Sequence, residues 1–104
     1  MILRFKNAYL EKLFEGEPVS GKPRFSCEVI TKFKRAVLKL KYADSIREIK
    51  AQKGLNFEAL KGGWKGYYSV RVDYSYRLIL TIENDESIRI TEILTIHDLT
   101  NHYQ

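Results

Sequence analysis

The sequence predicts an α+β fold: two main N-terminal helices packed on one face of a small twisted antiparallel sheet, with a short C-terminal helix or tail. Three observations carry that expectation. Apolar residues recur every four positions at Phe25, Val29, Phe33 and Val37, the spacing of one helix face. From Leu55 onward the period falls to two, as it does where alternate side chains line a sheet. Ahead of the longer helix, residues 17–23 hold Pro18, Ser20, Gly21 and Pro23, which interrupt both kinds of structure. At 104 residues, 44% hydrophobic and 30% charged, the chain suits one domain, 1–104, with a single core.

Taken in order, residues 1–5 alternate enough for a short strand. Asn7 is an N-cap for a short helix ending near Gly16, with Ala8, Leu13 and Phe14 among its apolar residues. In the longer helix Ile30, Leu38 and Leu40 widen the apolar stripe, and Lys32, Lys34, Arg35, Lys39 and Lys41 occupy the other face. Ser45-Ile46-Arg47-Glu48 is a capping box, opening a helix of one to two turns that Gly54 ends. Tyr68, Val70 and Val72 then alternate with Ser69, Arg71 and Asp73, and Leu78, Leu80 and Ile82 alternate with Arg77, Ile79 and Thr81. Asn84-Asp85 marks a turn. Ile88, Ile90, Leu94 and Ile96 define the next strand, and residues 97–104 read as a short polar helix or tail.

Register adds an inference. If Val70 and Val72 share the core face with Leu78 and Leu80, paired residues have an even position sum, as in Asp73 opposite Arg77. A two-residue loop would bury the arginine. The connection is therefore three or five residues long, and Arg71 and Arg77 share the polar face on adjacent strands.

Charge narrows the partners. Residues 22–65 carry twelve Lys or Arg against Glu28, Asp44, Glu48 and Glu58, a net of +8 in a chain of net +5. A basic centre favours a polyanion, nucleic acid first; the plainer alternative is a solvated lysine-rich helix face. No apolar run approaches the ~20 residues of a membrane span, and the N-terminus has no signal-peptide pattern. With Cys27 as its one cysteine the chain can form no internal disulfide, and a reducing cytoplasm is expected.

The strongest chemical constellation is Arg71 and Arg77 on one face with Lys61 and Lys65 nearby, because guanidinium forks bind phosphate oxygens and stabilise charge on a phosphorane-like transition state. The ordinary alternative pairs Arg77 with Asp73 and leaves Arg71 solvated. His97 is expected to end the last strand at the sheet rim. His102 and Tyr103 follow in the tail, where they serve proton transfer or are merely exposed. No metal or cofactor is expected: the histidines are five apart, Cys27 is remote from both, and Gly62, Gly63 and Gly66 fit no phosphate-loop pattern. Trp64 and Tyr67 suit stacking on bases or packing over the sheet.

These residues resemble a known family. Leu60-Lys61-Gly62, then Gly66-Tyr67-Tyr68-Ser69-Val70-Arg71-Val72, then Tyr76-Arg77-Leu78-Ile79 look like the central hairpin of the RelE/ParE superfamily of bacterial toxins, in particular its HigB-type killer members. The ending Leu99-Thr100-Asn101-His102-Tyr103 resembles a subgroup that finishes in Ser/Thr-Asn-His-Tyr. The resemblance implies the toxin of a type II toxin–antitoxin system and a ribosome-dependent mRNA endonuclease. It also implies metal-free attack of a 2′-hydroxyl on the adjacent phosphorus to leave a 2′,3′-cyclic phosphate. Carried over, Lys61 matches the lysine after the turn leucine, Arg77 the arginine facing the scissile phosphate, and Arg71, more loosely, a second cation. Where HigB-type toxins carry Asp-Tyr-His, this chain has Thr95, Ile96 and His97, and Glu58 replaces a histidine found in some members. The Asp and Tyr roles are thus either lost or moved to His102 and Tyr103. Proton transfer is expected from that tail pair, with His97 at the strand end as the alternative catalytic group. Implied partners are a small DNA-binding antitoxin of helix-turn-helix type, the ribosome and mRNA, with Lys32, Lys34, Lys39, Lys65, Arg71 and Trp64 contacting RNA. Two rivals share the fold: a ParE-like gyrase poison without catalysis, and a non-catalytic nucleic-acid-binding module.

Overall fold

Caps fix the helices of the N-terminal half in the computed structural model, which describes residues 1–85 and 91–101. In α1 (Ala8–Glu15), Asn7 Oδ1 accepts from Leu10 N at 3.2 Å, and Gly16 closes the helix at φ 75°, a conformation that costs glycine no Cβ clash. In α2 (Cys27–Lys41), Ser26 Oγ accepts from Val29 N at 3.2 Å. Phe25 thus lies before the helix, its ring edge-on to Tyr76 at 5.6 Å. In α3 (Ile46–Ala51), Ser45 Oγ accepts from Glu48 N, while the Glu48 carboxylate reaches back to Asp44 N. This helix stops at Ala51 rather than at Gly54. Gln52 turns extended, and the chain enters a 3-10 turn, Lys53–Leu55, that sinks Leu55 into the core.

The five strands are β1 (Ile2–Phe5), β2 (Glu58–Ala59), β3 (Tyr68–Arg71), β4 (Arg77–Asp85) and β5 (Thr91–Thr100), in the order β1-β5-β4-β3-β2. The α+β class holds, with one correction: the sheet is mixed, because β1 runs parallel to β5. Hydrophobic period carries no strand direction. Here the partners are separated by three helices, so no tight hairpin forces them antiparallel. Phe33, Val37 and Leu40 of α2 and Leu10 of α1 pack with Val70, Leu78, Leu80, Leu94 and Ile96 in one cluster. Each such side chain contributes about 1.5–3 kcal/mol on burial.

Three further details depart from the sequence-based expectations. Asn84 and Asp85 pair with Glu92 and Thr91, so strand pairing overrides their turn preference. β5 continues through His97 to Thr100, so this histidine does not end the strand and 97–100 is neither helix nor tail. The β3–β4 loop has five residues, one of the two expected lengths, and at that length Arg71 rather than Asp73 faces Arg77. Ile88, Ile90, His102, Tyr103 and Gln104 lie outside the described residues.

Candidate active site on the open sheet face

Because Val70, Leu78 and Leu80 point into the helix-covered core, their neighbours Ser69, Arg71, Arg77, Ile79 and Thr81 fall on the opposite face. Arg77 is only 4% exposed, unlike an ordinary arginine on a solvated sheet. Its Nε donates to Ser69 Oγ at 2.9 Å, and its Nη2 donates to the Asn56 carbonyl at 2.6 Å and to the Ser69 carbonyl at 3.4 Å. These acceptors hold the planar fork in one orientation and offset the cost of burying its charge. The Asp73 pairing is not formed: Asp73 Oδ1 accepts from Ser75 N at 2.8 Å and from Tyr76 N at 2.7 Å, shaping the hairpin turn. Ser69 is itself fully buried. Ser69→Ala removes the acceptor of Nε, and we expect a loss of about 1–3 kcal/mol. Urea denaturation would read this as a lower midpoint at unchanged slope.

His97 sits in a break of the β4–β5 ladder. Ile79 pairs with Asp98 and Leu80 with Ile96, so His97 is the extra residue of a β-bulge. Its Nε2 lies 2.7 Å from Thr81 Oγ1, and Tyr67 meets its ring edge-on at 5.2 Å. Trp64 meets Tyr67 in the same way at 5.3 Å. The bulge turns His97 onto the open face and lets Leu99 return to the core. Burial holds the imidazole below its ordinary pKa of 6.5; the Lys6 charge adds to this and Glu83 opposes it. His97 is thus oriented, by Thr81 and Tyr67, although the Asp and Tyr of the HigB-type pattern are missing. Sequence reasoning passed over Thr81 and the three acceptor atoms of Arg77, which Ser69 and Asn56 supply. The alternation 77, 79, 81 together with the hairpin register was the signal available for Thr81.

The expected constellation is divided in two. Lys61 and Lys65 are exposed on the loop joining β2 to β3, which Leu60 N closes onto Tyr67 O at 2.9 Å. Gly62 at φ 63° and Gly66 at φ 94° make its reversals. That loop meets β3 at Tyr67, roughly 13 Å along the strand from Arg71 at about 3.3 Å per residue. Lys61, Lys65, Trp64 and His97 therefore belong to one end of the sheet and Arg71 to the other, while the Arg77 fork reaches back from that end to Ser69, two residues along β3 from the Tyr67 that meets His97. On α2, Lys32 and Lys39 line a recess of about 250 Å³ with Arg71, and Lys34 does not. A larger recess of about 620 Å³ beside Leu38 and Tyr42 lies between α2 and α3 and shares Lys39 with the smaller one.

The family follows from comparison with known proteins. A family model described as a RelE-like toxin of the type II toxin–antitoxin system HigB matches residues 3–93. The chain belongs to this HigB-like family. Among solved structures it resembles a YoeB/ParE toxin from Agrobacterium tumefaciens, with TM-score 0.55 and 20% identity, over 99% of this chain and 100% of that one. It also resembles a YoeB–YefM complex from Staphylococcus aureus, with TM-score 0.52 and 20% identity, over 99% of this chain and 98% of the other. At such identity the two structures support the fold alone. A search of curated proteins returns no significant match. The HigB-like match stops four residues before His97, so the bulge histidine and the tail lie beyond what it covers. Among the described residues no helix of this toxin is long and apolar enough to cross a membrane.

Proposed function

We propose that this HigB-like toxin is a ribosome-dependent mRNA endonuclease whose reacting groups lie on the open sheet face. One observation carries the proposal: an imidazole held at 2.7 Å from Thr81 shares that face with a buried, immobilised guanidinium. In this reading His97 accepts the proton of a ribose 2′-hydroxyl as that oxygen forms a bond to the adjacent phosphorus. The bond from phosphorus to the 5′-oxygen breaks, that oxygen takes a proton from water, and His97 then releases its own proton to solvent. The products are a 2′,3′-cyclic phosphate and a 5′-hydroxyl. Arg77 stabilises the charge that accumulates on the non-bridging oxygens, and its fixed orientation means that little reorganisation is needed as the charge develops. Arg71, Lys61 and Lys65 draw the RNA to the face, and Trp64 and Tyr67 offer surfaces for a base. A gyrase poison has no need of an oriented proton acceptor, and the Thr81–His97 pair favours the nuclease over it.

The partners follow from the same reading: the ribosome and mRNA on the basic surfaces, and a small DNA-binding antitoxin of helix-turn-helix type. The structurally similar YoeB–YefM complex supports a protein partner for a toxin of this shape. Inducible expression with and without the antitoxin frame, followed by primer extension on a reporter mRNA, tests the activity. Discrete cleavage ends that vanish on antitoxin co-expression are expected. Growth arrest with intact mRNA and trapped gyrase–DNA complexes would replace this reading with the rival.

The lowered pKa sets the pH dependence. A neutral His97 acts as the base, so the cleavage rate should climb with pH and level off below 6.5. The same shift makes the native state the weaker proton binder. Its contribution to stability is full above the unfolded value and is lost as pH falls through the lowered native one. His97→Gln should flatten the acid limb of the rate profile; an unchanged limb would remove His97 from the reaction.

A further inference from the structure

We infer that Asn56 is a positioning residue for the reaction, its left-handed backbone aiming the carbonyl that sets the angle of the Arg77 guanidinium. The inference rests on the role proposed for Arg77 above and names the residue that holds it in place. Among the described residues Asn56 is the one non-glycine with a positive φ, at 44° with ψ 57°. Most side chains are strained in that conformation, and asparagine is among those that tolerate it best. Such strain persists where the surroundings fix it, and it gathers at functional sites.

The chain is pinned on both sides of Asn56. Leu55 before it is sunk in the core, and Asn56 N donates to the Lys53 carbonyl at 3.1 Å. Phe57 after it stacks on Tyr68 at 5.2 Å. Glu58 pairs across the sheet with Ser69, and its Oε1 accepts from Asn56 Nδ2 at 3.2 Å. With its neighbours held, the backbone angles at Asn56 decide where its carbonyl points. That carbonyl meets Arg77 Nη2 at 2.6 Å, closer than Ser69 Oγ lies to Nε at 2.9 Å, as suits a charge-assisted bond. A serine hydroxyl can change rotamer; a carbonyl in a pinned peptide cannot. Two nitrogens of one planar group are thus tied to two separate segments, which fixes the plane of the fork. A misplacement of about 1 Å in such a group can cost on the order of 100-fold in rate.

The test uses the full chain with Asn56→Val, Asn56→Ala and Asn56→Gly, the last of which takes a positive φ without strain. Cleavage is followed on ribosomes programmed with mRNA, at folded fractions matched by melting to the core truncation Val37→Ala. Asn56→Val should turn the carbonyl away, because a β-branched side chain resists a positive φ. Its kcat should fall roughly 10- to 100-fold, with KM within about twofold of wild type, since the cations that draw in RNA are untouched. Asn56→Ala should fall between, and it carries the comparison if the valine variant does not fold. Asn56→Gly should restore most of the rate although it gives up the bond to Glu58. A second readout needs no cleavage: the Nε and Nη signals of Arg77 in NMR spectra. Slowed rotation about Cζ–Nη2 is expected in wild type and Asn56→Gly, and averaged signals in Asn56→Val. Arg77 order that survives both Asn56→Val and Asn56→Ala overturns the inference, as does cleavage by them as fast as by Val37→Ala. Order lost with valine and kept with glycine, in a protein that cuts nothing, would uphold Asn56 while defeating the nuclease reading.

Discussion

Arg77→Ala is expected to abolish mRNA cleavage and growth arrest, and also to destabilise the domain. Losing one preorganised donor to a developing oxyanion typically costs about 100- to 1,000-fold in rate. The burial of Arg77 adds a structural penalty. Without the guanidinium, Ser69 Oγ and the carbonyls of Asn56 and Ser69 lose a donor in a region closed to water, at about 1–3 kcal/mol for each group left unsatisfied. Arg77→Lys should rescue little, because one ammonium cannot span Ser69 and Asn56 from two nitrogens at fixed spacing. Val37→Ala separates the two effects: Val37 is fully buried in α2, away from the open face, and truncating it costs stability through a cavity. A folded fraction matched between the two variants by melting should leave Val37→Ala cutting and Arg77→Ala silent. Equal cleavage by both at equal folded fraction would reduce Arg77 to a structural residue.

The second large effect divides His97 from the tail. The sequence alone favoured His102 and Tyr103 for proton transfer, on the ground that His97 lacked companions to orient it. Thr81 at 2.7 Å and Tyr67 at 5.2 Å supply that orientation, so we expect His97→Ala to lose about 100-fold or more in cleavage rate. Thr81→Val should lose less, since it removes the orienting hydroxyl and keeps the imidazole. Removing residues 101–104 should cost little stability and leave most of the cleavage. The alternative still has a geometric basis. Thr100 pairs with Arg77, so β5 brings the chain alongside the Arg77 backbone one residue before Asn101. An inactive truncation alongside a nearly normal His97→Ala, scored by primer extension at matched protein levels, would return the proton-transfer role to the tail.

Local signals determined much of this protein by themselves. The caps at Asn7, Ser45 and Gly16, the four-residue stripe of α2 and the even position sum of the β3–β4 hairpin are written in adjacent residues, and the structure contains each of them. Family membership was legible for the same reason, since the hairpin motif is contiguous. The tertiary structure decided what depends on strands meeting across the sheet. The parallel placement of β1 and the run of β5 to Thr100 come from partners far away in sequence, and Asn84 and Asp85 are held in β4 by pairing with Glu92 and Thr91. The bulge at His97 left one trace: the core-facing set runs Leu94, Ile96 and then Leu99, a change of parity that only an extra residue explains. Burial of Arg77 left none, because a chain cannot announce that the Asn56 carbonyl, 21 positions away, will meet its guanidinium. Alternation tells which face a side chain takes, whereas its charge environment is set by what the fold brings to that face.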